Sequence, residues 1–260
     1  MGLFDIAKSI IEKVNSKRGT EELISTENLK FKNDIVGLIN VLKQKTNKAD
    51  LVVVGSAQIA LGEIGEPAFE PLMQALKDTL KDKSKVIQEN IAGAIGNLGE
   101  QAVEPLIGAF EEVNDPFFHR GIAIALGETG DKRALEPLMQ MLRDVLDVSD
   151  RLDIASALAS LGEPAIAPII ELLKNKEESK NVRLAAAFAL LHSESNAAVA
   201  PLLDLLKDED KWVRAAALQA LSTKGMEEDA FHDAVDSVDF KDTREFDDEY
   251  FEMLEKADKD

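Results

Sequence analysis

Apolar residues recur along this chain in short blocks with helical spacing. Ile91, Ala94, Ile95 and Leu98 share one face of a helix, as do Ala185, Phe188, Ala189 and Leu190. A second kind of block follows each of these. A proline is succeeded by two apolar residues and by another four positions on, as in Leu106, Ile107 and Phe110 after Pro105, or Leu202, Leu203 and Leu206 after Pro201. The two kinds alternate, which predicts pairs of helices, each half buried. No such pair can bury its apolar face alone, so the pairs must stack on one another.

The alternation keeps a fixed period. Ala60, Ala94, Ala125, Ala157, Ala189 and Ala220 occupy equivalent places 34, 31, 32, 32 and 31 residues apart. Gly65, Gly99, Gly130, Gly162 and Gly225 each lie five residues after one of these alanines, with Ser195 in the remaining copy. Pro71, Pro105, Pro137, Pro168 and Pro201 complete the register, and Phe231 replaces the last proline. The glycines suit a turn through positive φ, where a Cβ is strained. The prolines suit a first helical turn, where a missing N–H costs nothing, and Pro67 and Pro164 mark the start of a second helix. Segments Glu21 to Phe31 and Asn33 to Lys45 read as a degenerate opening pair. The whole predicts an all-α solenoid of about seven helix pairs over residues 21–240, with a helix added at each end.

The first of these end helices, residues 1–20, is amphipathic through Leu3, Ile6, Ala7, Ile10, Ile11 and Val14, and is expected to cap the first repeat. Ile6 stands where a myristoylation signal needs Ser or Thr, so lipidation is discarded. The last, residues 241–260, carries Phe246, Tyr250, Met253, Leu254 and Ala257 on one face, and Asp242 and Glu245 are spaced as a capping box. From Met226 onward the chain holds 15 acidic residues against 4 basic ones.

Charge changes the picture of what the solenoid binds. A formal charge of -19 repels phosphate backbones, and 22 Lys against 8 Arg offer no arginine cluster, so no nucleic acid partner is expected. The absence of cysteine removes disulfides and thiolate chemistry and fits a reducing, cytoplasmic setting. The longest uncharged stretch, Leu51 to Gly62, is too short for a membrane span, which takes roughly 20 residues. Catalytic and metal signals are equally sparse. His119, His192 and His232 are scattered without a second ligand at metal spacing, and no G-x-S-x-G elbow occurs. The pairs Gly62/Gly65, Gly96/Gly99 and Gly127/Gly130 follow helices and lack a downstream Lys-Ser or Lys-Thr, so they read as turns and not as phosphate loops. The period-three acids from Asp233 to Asp248 lack an EF-hand's glycine and spacing. No cofactor is expected.

The strings ALGEIGEPAFEPLMQAL, AIGNLGEQAVEPLIGAF, ALGETGDKRALEPLMQML and DKWVRAAALQAL resemble HEAT repeats of the short type found in phycobilin lyases. The resemblance implies a right-handed α-α superhelix whose second helices line a concave, protein-binding side. It also brings enzymes to test. Deoxyhypusine hydroxylase binds iron through His-Glu pairs, whereas Arg120, Ser193 and Asp233 follow the histidines here. The alkylpurine DNA glycosylases of this architecture have a basic groove, and this chain is acidic. Bilin lyases offer no motif that maps residue by residue, and a lyase- or chaperone-like subunit acting on a tetrapyrrole-bearing or other protein substrate stays as the alternative to a non-enzymatic scaffold.

Two candidate docking features follow. On the second helices, the residue before each key proline and the one three after it share a face. These are Glu70 with Gln74, Glu104 with Gly108, Glu136 with Gln140, Ala167 with Glu171, and Ala200 with Asp204. Stacked, they form an acidic, amide-rich stripe suited to a basic segment of a partner protein. The other feature is an aromatic edge. Of Phe117 and Phe118 one is expected in the core and one exposed, and Trp212 occupies the position equivalent to Phe117. The oligomeric state is not legible.

Overall fold

The computed structural model describes residues 26–44, 51–145, 147–193 and 196–223, together with Asp248. The expected end helices, Gly225 and the second helix of a last pair around Phe231 lie outside them. Among the described residues the chain is an all-α solenoid. Helical residues 26–31 and α1 (Ile35–Leu42) form the opening pair. Four complete pairs follow: α2 (Leu51–Ile64) with α3 (Phe69–Asp82), α4 (Lys85–Gly96) with α5 (Val103–Glu112), α6 (Pro116–Glu128) with α7 (Leu135–Asp144), and α8 (Val148–Ser160) with α9 (Glu163–Lys174). A further pair comprises α10 (Lys180–His192) and α11 (Val199–Leu205), and α12 (Lys211–Ser222) opens the next.

Local chemistry sets each boundary. From α4 on, every first helix starts on an Asp or Ser: Ser84, Asp115, Asp147, Ser179 and Asp210 each accept a hydrogen bond from a backbone N–H in the first turn. Gly65, Gly99, Gly130 and Gly162 all have positive φ, between 63° and 77°. Gly65 and Gly162 combine it with ψ of -143° and -138°. That is the mirror image of extended backbone and not the left-handed helical turn expected from sequence, and it excludes a Cβ more strictly. Pro71, Pro105, Pro137 and Pro201 stand third in their helices, inside the first turn, while Pro168 lies deeper in α9 because that helix runs without a preceding 3-10 turn.

The two helix rows pack differently. Each first helix touches the next directly, from α2 through α4, α6, α8 and α10 to α12, whereas consecutive second helices approach as closely only at α1 and α3. Small residues allow it. A Cβ on Gly62 would meet Asn97 backbone oxygen at 2.7 Å, and one on Gly96 would stand 3.2 Å from the Ala125 oxygen. One on Gly127 would meet the Cα and oxygen of Ala157 at 2.7 Å. These glycines therefore do not belong to the turns, as their spacing from Gly65, Gly99 and Gly130 suggests. They are the touching points between repeats. Second helices bury bulkier residues such as Leu72, Met73, Leu138, Met139, Ile169 and Leu172, and bulk of this kind holds axes farther apart. A stack with one close row and one wide row curves toward the close one. The first helices thus form the inner wall, which corrects the expectation that the second helices line the concave side.

Side chains bind the repeats further. Asn90 Nδ2 donates to Leu42 O at 3.1 Å and Gln58 Nε2 to Asn90 O at 2.9 Å. Arg214 Nη1 donates to Asp208 O at 2.8 Å in the loop that follows α11, and Arg183 Nε donates to Leu173 O at 2.8 Å, closing the carbonyl end of α9. Arg151 does the same toward Leu142 and Val145.

The glycine roles separate by mutation. Gly127→Ala should lower stability by about 1–3 kcal/mol, because backbone of the next repeat blocks the methyl group. Gly108→Ala meets open space inside α5 and should raise stability by about 0.5–1 kcal/mol. Urea denaturation midpoints of the two variants, compared with the parent, check both signs.

Candidate functional site

The residues expected to form an acidic stripe lie at the surface of the second helices. Glu70, Gln74, Glu104, Glu136, Gln140, Glu171 and Asp204 are exposed, and Gly108 is half buried with open space above it. Two of the amides reach one turn further: Gln74 Nε2 donates to Asp78 Oδ1 at 3.3 Å and Gln140 Nε2 to Asp144 Oδ2 at 2.9 Å. The stripe thereby widens to Asp78, Asp144, Asn175 and Asp208. Some of its charge is already neutralised, since Glu104 faces Arg133 at 3.7 Å, Asp78 faces Lys81 at 3.1 Å and Asp208 faces Lys174 at 3.5 Å. The Lys81 ammonium, a hydrogen bond from Gln74 and more distant Lys43 hold the Asp78 carboxyl below its ordinary pKa despite the opposing cost of desolvation. Glu70, Glu136, Glu171 and Asp204 form no ion pair among the described residues. An open cavity of about 520 Å³ between Met139, Arg143, Pro168 and Glu171 lies within the stripe. Because second helices form the wide row, this stripe is on the outer wall of the curve.

The aromatic edge is half as exposed as its sequence suggests. Phe118 is fully buried, and Phe117 is half buried under Lys83, whose Nζ stands 4.9 Å from the ring centre. At the equivalent place one row end further, Lys180 Nζ stands 5.2 Å from the ring centre of Trp212. The same cation-over-aromatic contact thus recurs, worth about 0.5–1 kcal/mol at partly exposed sites. Phe117 and Trp212 each stand in the first turn of a first helix, α6 and α12, three helices apart in that row.

The inner wall holds a group that the sequence reading missed. Arg120 is only 4% exposed, yet it donates to Gln88 Oε1 at 2.8 Å, to Glu89 at 2.5 Å and to Asp153, tying α4, α6 and α8 together. Burial works against its charge, but Asp153 and then Glu89 outweigh burial and hold its pKa above the ordinary value. Gln88 also donates to Phe117 O, which anchors the start of α6. Arg120 lies one position past the place that Arg151, Arg183 and Arg214 take in later repeats, so the register of the repeats did not flag it. His119 fills that place in α6, packed 4.3 Å from the Phe110 ring, with Nε2 buried and unbonded.

The profile of the family described as HEAT repeats matches residues 69–159 and 146–222, more than half of the chain. The chain belongs to the HEAT-repeat family. A similar solved structure is the designed armadillo repeat protein YIII(Dq)4CqI, with 18% identity, a TM-score of 0.29, and coverage of 73% of this chain and 99% of that one. No curated protein matches. Among the described residues of this HEAT-repeat protein, no three His, Asp or Glu side chains gather as a metal site, and no helix is long and apolar enough to cross a membrane.

The charge cluster around Arg120 supplies a pH prediction. Desolvation, followed by Asp147 and Asp153, raises the Asp150 pKa above its ordinary value against the opposing pull of Lys85 and Arg120. A carboxyl whose folded pKa is above its unfolded one opposes folding where it is ionised, and that opposition fades as pH falls through the folded pKa. Asp150→Asn should therefore raise the thermal midpoint at pH 7, with a gain that shrinks as pH falls through the raised folded pKa of that carboxyl. Melting curves of parent and variant across that range test it.

Proposed function

We propose that this HEAT-repeat protein is a non-enzymatic scaffold that holds a partner protein through a basic segment lying on the acidic stripe of its second helices. The observation that carries this reading is the set of four stripe carboxylates, Glu70, Glu136, Glu171 and Asp204, that lack a neighbouring cation among the described residues. Exposed carboxylates left unpaired in a row repel one another, and a basic partner relieves that repulsion without distorting the fold. The strongly acidic chain adds long-range attraction for such a partner and repels nucleic acid. The family supports protein binding as the role, since stacked repeats present an extended surface. The open space over Gly108 leaves room for close approach of a partner's backbone.

Affinity capture with the full chain identifies the partner, and a variant then tests the surface. Glu70, Glu104 and Glu136 changed together to Gln should leave the helical circular dichroism spectrum unchanged and weaken that partner severalfold at low salt. Raising the salt from about 50 mM to about 300 mM should weaken the parent toward the variant, because screening shortens the reach of exposed charges. Binding by the triple variant equal to that of the parent at low salt would remove the stripe as the docking surface.

A further inference from the structure

On the inner wall, three successive repeats enclose an open cavity of about 600 Å³ lined by Gly127, Glu128, Ser156, Ala159, Ser160, Gly162 and His192. Its floor is open because Ala159 and Gly162 supply almost no side chain and a Cβ on Gly162 would meet nothing within 4 Å, whereas Gly127 contributes backbone packed on Ala157. Each of its polar side chains can accept a hydrogen bond, the exposed Ser160 hydroxyl included. Ser156 Oγ already donates its proton to Leu152 O at 3.0 Å, so lone pairs are what it has left to offer. His192 Nδ1 lies 2.9 Å from Phe188 O, and since a carbonyl only accepts, the proton of the neutral ring is on Nδ1 and Nε2 remains an acceptor. Glu128 contributes an exposed carboxylate with no cation beside it. The helices reinforce this: α6 ends at Glu128, α8 at Ser160 and α10 at His192, so three carbonyl ends, each carrying partial negative charge, converge on the same space. His192 is stacked on Phe188 with ring centres 3.9 Å apart, which fixes a flat face at the rim. Only Glu128 and His192 among the lining residues are metal ligands, too few for a metal site.

We propose that this cavity is a receptor for a guanidinium group, the side chain of an arginine on the partner protein. A guanidinium carries five donors and no acceptor, which complements a pocket rich in acceptors and poor in free protons, and its plane can lie on the imidazole. Glu128 pairs with the cation and the helix ends add to the attraction. The inference rests on the reading of the chain as a protein-binding scaffold, but not on the acidic stripe, which lies on the opposite wall.

The test is a titration of the full chain with N-acetyl-argininamide, followed by amide chemical shifts. The expected result is saturable change at Glu128, Ser160 and His192. The neutral isostere N-acetyl-citrullinamide should bind about tenfold more weakly, as should the parent ligand to Glu128→Gln, the loss expected for one charge-assisted contact. Ser160→Leu, which fills an exposed edge of the cavity without touching the core, should abolish the saturable change. The triple stripe variant should keep it in full, so loss of partner binding through the stripe and failure of the pocket give different results. Equal binding of the arginine and citrulline compounds, unaltered binding by Glu128→Gln, or shifts scattered over the acidic surface without saturation would each overturn the proposal.

Discussion

The distance between neighbouring first helices governs the rest of this molecule. Gly62, Gly96 and Gly127 sit where one helix presses on the next, and in each case the place a Cβ would take is occupied by atoms of the following repeat. Interaxial distance in helix packing follows the size of the side chains at the crossing. With glycine at three successive crossings of one row and the second helices held farther apart, the stack must bend. The inner wall, the converging helix ends and the open cavity floor at Ala159 and Gly162 all follow from that difference in spacing. So does the exposure of the stripe, because wide spacing on the outer wall leaves the polar face of each second helix in solvent.

Charge is arranged to the same geometry. Four of the 8 arginines serve contacts between helices: Arg120 between three first helices, Arg151 and Arg183 on the carbonyl ends of second helices, and Arg214 on the loop after α11. A buried ion group of this kind contributes little net stability compared with an apolar core, but removal of one partner leaves charges stranded, at a cost of about 3–5 kcal/mol. Its value is in fixing which repeat faces which. The consequence for the exterior is a shortage of cations along the stripe, where lysines reach only Asp78 and Asp208 and an arginine only Glu104.

The period, the pairing of helices, the positive-φ glycines and the first-turn prolines were all legible in the sequence, since each depends on residues within one repeat. Phe118 in the core followed from helical spacing in the same way. What the chain did not reveal directly depends on contacts between repeats. Glycines two places after the repeat alanines looked like partners of the turn glycines, although their role is fixed by a helix more than thirty positions away. Arg120 sits one position off the register of Arg151, Arg183 and Arg214, and nothing in its own repeat announces that Glu89 and Asp153 will meet it. The assignment of walls could have been read from the residues alone. A row of alanines and glycines is the row that can approach most closely, and that physical fact outranks the orientation implied by resemblance.

In a solenoid each repeat contacts only its neighbours, so stability and binding can be divided along the chain. The cavity formed by α6, α8 and α10 and the stripe carried by α3, α5, α7, α9 and α11 use the same repeats but opposite faces of them, separated by a fully buried layer that includes Leu126, Leu138, Leu158 and Ile169. A substitution on the outer face leaves that layer unchanged, and therefore leaves the inner face unchanged. The architecture thus permits the two proposed cation-reading surfaces to be independent in mutation. In the function proposed, the stripe senses the overall charge of a partner at long range, and the cavity reads the shape of a single side chain at contact.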